Sequence, residues 1–229
     1  MVAPSVLFED NHCLALSKPG GLLTQGLPVG LPTLWAWARD YLRATYNKTG
    51  NVYLGVPHRL DRPVSGVVLF AKSSKAAARL AEQFRHREVT KVYHALVSGA
   101  VEPAEGVWVD WLRKLQDLAR AEIVTEAIQD ARRAETAYRV LETAGDTTLL
   151  ELLPHTGRMH QLRIQSASRG WPILGDATYG SHIPFGPPAE LERDRVIALH
   201  AASLTFLHPI RYEPMTVTAP RPDYWPALG

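Results

Sequence analysis

The side chain best suited to chemistry in this sequence is a carboxylate held between two arginines. Asp61 lies in the stretch HRLDRPVSG, residues 58–66, with Arg59 two positions before it and Arg62 directly after it. The two positive charges favour the ionised carboxylate, the form that acts as a nucleophile or a general base. Without further context, the same carboxylate could also form a surface salt bridge or cap a turn.

Two short apolar runs flank this stretch and predict how it is positioned. Residues 52–56, VYLGV, precede it and residues 67–71, VVLFA, follow it, and both runs are typical of β-strands. Pro63 and Gly66 favour a fixed loop rather than a helix. The sequence therefore predicts that Asp61 lies on a loop between two strands.

The composition limits the classes of protein to which the chain can belong. Its 229 residues are 46% hydrophobic, enough for a substantial core, and 25 basic against 23 acidic residues give a net charge of +2. A nucleic-acid surface would have to be local. The single cysteine, Cys13, excludes an internal disulfide and a multi-cysteine zinc site. No run approaches the ~20 apolar residues of a membrane span, so we expect a cytoplasmic protein without a membrane partner.

The first half of the chain is predicted to place a hairpin and two helices around the Asp61 loop. Residues 6–16 are typical of a β-hairpin, and the KPGG loop that begins at Lys18 could bring a cation close to a phosphate. Two helices with N-caps are expected: residues 34–42, capped by Thr33, and residues 75–85, capped by Ser73 or Ser74.

The second half is predicted to be mostly β-structure that leads into a basic helix. A strand at 90–97 carries Tyr93, hairpins or an excursion are expected within 99–133, and an antiparallel pair at 134–141 and 147–153 follows. Thr156 is expected to cap a helix that continues toward Arg169, with Arg158 in its first turn.

Taken together, these segments resemble the A-type ribosomal large-subunit pseudouridine synthases over nearly the whole chain. The order and spacing of the segments, rather than any one of them, carry the resemblance. In chain order they are KPGG at 18–21, HRLD at 58–61 with SG at 65–66, KVY at 91–93, TGRMHQLR at 156–163, PILGD at 172–176 with YG at 179–180, and LHA at 199–201 with HP at 208–209.

The resemblance implies that a uridine inside an RNA chain is isomerised, so that its N-glycosidic link becomes a carbon–carbon link at C5. By similarity, Asp61 either attacks C1′ of the ribose or removes the 2′ proton, and the sequence leaves both roles open. Tyr93 matches the tyrosine that packs on the base and assists C5 deprotonation, and Arg158 matches the arginine that pairs with the aspartate. Arg59 matches a residue that helps to fill the space left by the flipped nucleotide.

The same resemblance implies further substrate-binding residues and a basic surface for the RNA backbone. The substrate-binding set comprises Arg59, Arg62, Lys18, His160, Gln161, Arg163 and Ile164. Candidate phosphate contacts are Lys18, Arg62, Arg85, Arg87, Arg113 and Lys114.

The implied fold is α+β: a bent, mixed, largely antiparallel β-sheet flanked by helices and loops that frame a central catalytic cleft. We expect residues 1–229 to form a single catalytic domain without a separate N-terminal RNA-binding module. The expected partner is a stem-loop of tRNA or large-subunit rRNA, and the expected oligomeric state is a monomer. No organic cofactor and no metal ion are expected, because the reaction is redox-neutral and rearranges the substrate's own atoms.

Two positions depart from the pattern of the family. Val64 stands where threonine often precedes the Ser-Gly pair, and Gln165 stands where histidine often follows the Gln-Leu-Arg-apolar run. Neither change removes a residue needed for catalysis. We expect the second change to affect RNA contacts.

Two other classes of function remain open at this stage. A non-catalytic RNA-binding or RNA-chaperone protein could retain the same fold and basic residues. A carboxylate-dependent hydrolase, such as a glycosidase, would need a second carboxylate, for which Glu151 and Asp176 are nominal candidates. The sequence names neither the RNA nor the uridine.

Overall fold

A computed structural model describes residues 3–26, 30–116 and 118–226, and these form two compact units. The first unit consists of Met1–Thr90, Ala189–Asp194 and Ala201–Pro222. The second unit consists of Lys91–Pro188, Arg195–His200 and Asp223–Gly229. No helix in the described ranges is both long and apolar enough to cross a membrane.

Ten strands and three α-helices are assigned among the described residues, which confirms the predicted α+β class. The strands are β1 Ser5–Glu9, β2 Cys13–Lys18, β3 Ser65–Ala71, β4 Thr90–Ser98, β5 Glu105–Lys114, β6 Ala121–Val124, β7 Arg132–Ala144, β8 Thr147–Pro154, β9 Leu199–Leu207 and β10 Pro214–Thr218. The helices are α1 Leu34–Thr45, α2 Ser74–His86 and α3 Gln161–Ala167.

The first unit contains strands in the order β1-β2-β3-β9, with β10 paired to β9. The predicted hairpin is confirmed, because β1 and β2 pair antiparallel, as do β2 and β3. Every residue of β3 is buried, which explains why its sequence is a continuous apolar run without alternation. Helix α2 packs Ala76 and Leu80 into the core beneath β2, β3 and β9.

Both helices of the first unit begin where the sequence predicts. The hydroxyl of Thr33 accepts a hydrogen bond from the Ala36 amide, and the hydroxyl of Ser73 accepts one from the Ala76 amide. Each cap satisfies an amide that has no partner within the helix. Helix α2 ends at Arg87, which adopts the left-handed conformation.

The second unit contains strands in the order β4-β8-β7-β5-β6. The predicted pair 134–141 and 147–153 is confirmed as β7 and β8, and a hairpin within 99–133 is confirmed as β5 and β6. A buried cluster joins these strands to α3 through Leu112, Ala134, Ile164 and Tyr179.

Two predicted elements differ from the structure. Residues 52–56 do not form a strand. Only Gly55 pairs, in an isolated bridge with Ala71, and the indole N–H of Trp35 donates a hydrogen bond to the carbonyl of Leu54. Helix α3 begins at Gln161 rather than at Thr156, because His160 has a φ of 52° and cannot continue a right-handed helix.

Candidate active site

The loop that carries Asp61 rests on a fully buried lysine. Lys18, at the end of β2, has 0% of its surface exposed. Its ammonium group donates hydrogen bonds to the carbonyl oxygens of Leu22 at 2.7 Å, Pro19 at 3.0 Å and Arg62 at 3.1 Å. One side chain thus ties the KPGG loop to the residue that directly follows Asp61.

Backbone contacts hold the loop on both sides of Asp61. Before it, the amide of Leu60 donates to the hydroxyl of Thr24 at 3.2 Å, and that hydroxyl donates to the Leu60 carbonyl at 2.9 Å. After it, the Gly21 amide donates to the Arg62 carbonyl at 2.8 Å. The backbone directly before and after Asp61 is therefore fixed by the KPGG loop and by Thr24, which follows that loop.

The side chain of Arg62 is also engaged within the first unit. Its Nε donates to the carbonyl of Gly21 at 2.9 Å, and its guanidinium forms a 2.5 Å ion pair with Asp194. A half-buried, charge-assisted contact of this kind fixes the guanidinium in one geometry. Arg62 therefore stabilises the loop in this structure, whereas Arg59 is exposed.

The two ends of the loop are equally constrained. The ring of His58 accepts a hydrogen bond from the Leu69 amide at 2.9 Å and stacks on Phe84, with 4.6 Å between ring centroids. At the other end, Gly66 has a φ of +118°, and a Cβ atom placed there would lie 2.2 Å from the carbonyl oxygen of Ala201. Only glycine fits at this position.

Burial and two charged neighbours set the protonation of Lys18. Burial lowers the pKa of Lys18 from 10.5 to about 7, the Asp61 carboxylate raises it, and the Arg62 guanidinium lowers it. The Lys18 ammonium and the Asp61 carboxylate therefore attract each other.

Tyr93 and Arg158 belong to the second unit. Tyr93 lies on β4 opposite Leu152 and is half-buried. The Nε of Arg158 donates to the carbonyl of Arg133 at 3.1 Å. The pairing of Arg158 with Asp61 that the resemblance implies stays a prediction.

The amide side chain of Gln161 organises the turn that carries Arg158. Its oxygen accepts hydrogen bonds from the Arg158 amide at 3.0 Å and from the Thr156 hydroxyl at 2.7 Å. Its nitrogen donates to the carbonyl of Glu135 and to the hydroxyl of Thr136. Gln161 is thus buried and fully hydrogen-bonded, and it fixes the backbone at Arg158.

A buried ion pair lies behind this turn. Arg163 binds both carboxylate oxygens of Asp176, at 2.6 and 2.8 Å, and the two side chains are 6% and 1% exposed. Nδ1 of His160 lies 3.0 Å from the hydroxyl of Tyr179, and that hydroxyl accepts a hydrogen bond from the Ala121 amide. Arg163 therefore faces the interior, and His160 is held against β6.

The two remaining positions from the 156–165 segment are also internal. Ile164 packs in the cluster with Leu112 and Ala134. Gln165 accepts a hydrogen bond from Thr136 and donates one to Asp110 at 2.7 Å. The expectation that Gln165 affects RNA contacts is not supported by its position, because its side chain is completely buried.

Several of these supporting residues were not identified from the sequence. Asp176 and Tyr179 carry a signal, since both lie in segments that matched the family pattern. Thr24 and Asp194 lie outside those segments and give no signal of their own.

One group of residues in the described part of the chain has side chains suited to a metal ion: Asp10, Cys13 and His208. Hydrogen bonds already occupy the ligand atoms of Asp10 and His208. Nε2 of His208 lies 2.8 Å from Asp10, the other ring nitrogen accepts two backbone amides, and Arg211 also binds Asp10. Burial raises the pKa of the Cys13 thiol to about 12, which opposes the thiolate that a metal requires. The cluster fits a structural role.

The chain was compared with protein families and with known proteins. Residues 12–168 match the family model described as RNA pseudouridylate synthase. The chain belongs to this family. That match confirms the resemblance drawn from the sequence, and the synthase's Asp61, Tyr93 and Arg158 all lie within the matched residues.

Relatives over almost the full chain agree with this assignment. The synthase is 35% identical to the dual-specificity RNA pseudouridine synthase RluA of Vibrio cholerae, covering 96% of this chain and 84% of the relative. It is 31% identical to tRNA pseudouridine synthase C of the same organism, covering 97% of this chain and 93% of the relative. Its fold is similar to that of human RNA pseudouridylate synthase domain containing 4, with a TM-score of 0.77, 24% identity and coverage of 96% of this chain and 89% of the other.

Proposed function

We propose that the synthase isomerises uridine in tRNA or large-subunit rRNA to pseudouridine, with Asp61 as the catalytic carboxylate. The observation that carries this proposal is the construction of the 58–66 loop. Lys18, Thr24 and Gly21 fix the backbone on both sides of Asp61 and leave its half-buried carboxylate beside an ammonium group. A carboxylate held in a fixed position is what the first step of this reaction needs.

In the proposed reaction, the N1–C1′ bond breaks and a C5–C1′ bond forms, and the proton lost from C5 is balanced by a proton gained at N1. Asp61 either attacks C1′ or removes the 2′ proton to give a glycal, and it is released unchanged at the end in both cases. Tyr93 packs on the base and assists removal of the C5 proton, and Arg158 keeps Asp61 ionised and oriented. Neither role requires a metal ion or an organic cofactor.

The proposed substrate-binding residues divide by their burial. Arg59 is exposed and can contact RNA directly, including the space left by a flipped nucleotide. Buried or tethered residues would act on the substrate by holding the backbone that lines the site. These are Lys18, Arg62, His160, Gln161, Arg163 and Ile164.

The choice of RNA follows the names of relatives: one is called a dual-specificity RNA synthase and one a tRNA synthase. We further propose that the synthase works in the cytoplasm as a monomer. We also propose that residues 1–229 form one catalytic domain, because the family match from 12 to 168 runs through segments of both units.

The test is a map of pseudouridine by carbodiimide-dependent primer extension across total RNA, in cells with and without the gene. The deletion is complemented with wild type or with Asp61→Asn, which keeps the size of the side chain and removes its charge. We expect a site that disappears on deletion and returns only with wild type. Return of the site with a folded Asp61→Asn variant would contradict the role of Asp61. Binding of RNA without any product would favour a non-catalytic protein.

A further inference from the structure

Most arginines and lysines of the described residues are engaged by a carboxylate, a carbonyl or an aromatic ring. Three of the phosphate contacts predicted from the sequence are engaged within the protein. Lys18 is buried and donates hydrogen bonds to three carbonyl oxygens, whereas Arg62 pairs with Asp194 and Arg113 pairs with Glu122. The described basic side chains for which the structure shows no hydrogen bond, ion pair or ring contact are Arg59, Lys75, Arg85, Arg87, Lys114 and Arg193.

Arg59, Arg85 and Arg87 lie on two neighbouring segments of the first unit. The rings of His58 and Phe84 stack, with 4.6 Å between their centroids. Arg59 directly follows His58, and Arg85 directly follows Phe84. Arg87 comes two residues later, and all three arginines are exposed. We call Arg59, Arg85 and Arg87 the arginine patch.

The patch lies on rigid structure. Gln83 binds both the amide and the carbonyl of Leu207 through its side chain, which locks the last turn of α2 to β9. The left-handed Arg87 then closes the helix with hydrogen bonds to the carbonyls of Gln83 and Phe84. The backbone that carries Arg85 and Arg87 is therefore fixed before any ligand binds, which lowers the entropic cost of binding.

The charges of the patch are not balanced within the described residues. Glu82 and Glu88, the nearest carboxylates in the sequence, form no ion pair with its arginines in the part of the chain that the structure describes. The helix dipole favours a cation in the last turn of α2 and so accounts for Arg85, but it does not account for Arg59 on another segment. An anionic partner would balance the positive charges of these exposed arginines.

One member of the patch, Arg59, is two residues before Asp61 along the chain. His58, which contacts Phe84, is three residues before Asp61, so the Cα atoms of His58 and Asp61 are at most about 11 Å apart. A nucleotide flipped toward Asp61 keeps its 5′ and 3′ phosphates on the strand outside. An exposed guanidinium at this distance is suited to binding such a phosphate in a bidentate manner.

We propose that Arg85 and Arg87, together with Arg59, bind phosphates of the substrate RNA on the strand next to the flipped uridine. This inference rests on the proposed function, and it assigns to the end of α2 a part in RNA recognition. Each phosphate contact contributes about 0.7 to 0.9 to the slope of log affinity against log salt. Loss of one contact should therefore weaken binding roughly fivefold near 0.1 M salt.

The experiment compares Arg85→Gln with Lys75→Gln. Both positions lie on α2, both side chains are exposed, and each substitution removes one positive charge, but Lys75 is in the first turn of the helix and Arg85 in the last. The RNA probe is the tRNA fraction, and in parallel the rRNA fraction, from cells that lack the gene. Pseudouridine formation gives kcat and KM, and filter binding from 0.05 to 0.3 M salt gives the slope.

We expect Arg85→Gln to raise KM about fivefold at 0.1 M salt, to lower the salt slope by about one, and to leave kcat and the melting temperature unchanged. Lys75→Gln should behave as wild type. Adding Arg87→Asn, which keeps the left-handed conformation, should lower the slope again. If wild type is active and Arg85→Gln behaves like Lys75→Gln, the proposed contact between the arginine patch and RNA is wrong, while the proposed function stands. An inactive wild type on both RNA fractions would instead count against the proposed function.

Discussion

Replacing Lys18 by methionine tests whether a buried ammonium group supports the Asp61 loop. Methionine has a similar length and no titratable group. The folded protein holds the pKa of Lys18 at about 7, against 10.5 for an exposed lysine, mainly because of burial. Below pH 7 both the folded and the unfolded chain carry the proton, and the folded state bears the full cost of the buried charge.

Between pH 7 and 10.5 the folded state releases this proton first, so the contribution of Lys18 to the free energy of unfolding rises with pH. Each pH unit over which only the unfolded state holds the proton adds about 1.4 kcal/mol to the free energy of unfolding. Because Lys18 is still half-protonated in the folded state at pH 7, the free energy of unfolding rises by about 2 kcal/mol between pH 7 and pH 9. Above 10.5 both states are neutral and the contribution is constant. The thiol of Cys13, with a pKa of about 12, stays protonated throughout the measured range.

The assay is urea unfolding followed by tryptophan fluorescence at pH 7, 8 and 9, for wild type and Lys18→Met at one ionic strength. Groups other than Lys18 cancel in the difference between the two proteins. We expect the free energy of unfolding of wild type, relative to that of Lys18→Met, to increase by about 2 kcal/mol between pH 7 and pH 9. Parallel stability curves would refute the lowered pKa, and a gain toward acid pH would refute its sign. Lys18→Gln provides a second comparator if the methionine variant does not fold.

Three further substitutions test the supports of the site. Gly66→Ala should abolish activity and lower the melting temperature, because the new methyl group would collide with the backbone of β9. Thr24→Val should lower kcat more than stability, because it frees the amide and carbonyl of Leu60 beside Asp61; circular dichroism and single-turnover rates separate the two effects. Arg163→Met should cost about 3 to 5 kcal/mol in urea unfolding by leaving Asp176 buried without a partner, and Arg163→Met/Asp176→Leu should recover most of it.

The features predicted correctly from the sequence are those set by neighbouring residues. Thr33 and Ser73 cap their helices through amides three residues away, and β7 and β8 pair across a two-residue turn. Residues 52–56 have the composition of a strand, yet the carbonyl of Leu54 is bound by the indole of Trp35, a contact 19 residues apart. Local propensity cannot anticipate such a partner.

The same limit applies to the site. The HRLD motif and the family pattern nominate Asp61, whose catalytic role stays a prediction, and residues 12–168 match the family model. The state of Lys18 was not predictable, because its burial depends on the carbonyl of Arg62, 44 residues away. Arg163 was expected to contact the substrate, and nothing in its immediate sequence reveals the bidentate bond to Asp176. Long-range contacts decide whether a cation faces an RNA or the core.

The contacts that support the Asp61 loop also determine when the enzyme can mature during its own synthesis. The loop is made early, but Asp194, which holds Arg62, and Ala201, which packs on Gly66, are made more than a hundred residues later. At translation rates of about 5–20 residues per second, this interval lasts roughly 7 to 27 seconds. A nascent chain that already displays Asp61 still lacks β9 and β10, the strands that complete its core. The supports of the Asp61 loop are therefore completed only by the last segments of the chain, so a ribosome that stalls midway releases a fragment in which this loop is present but unsupported.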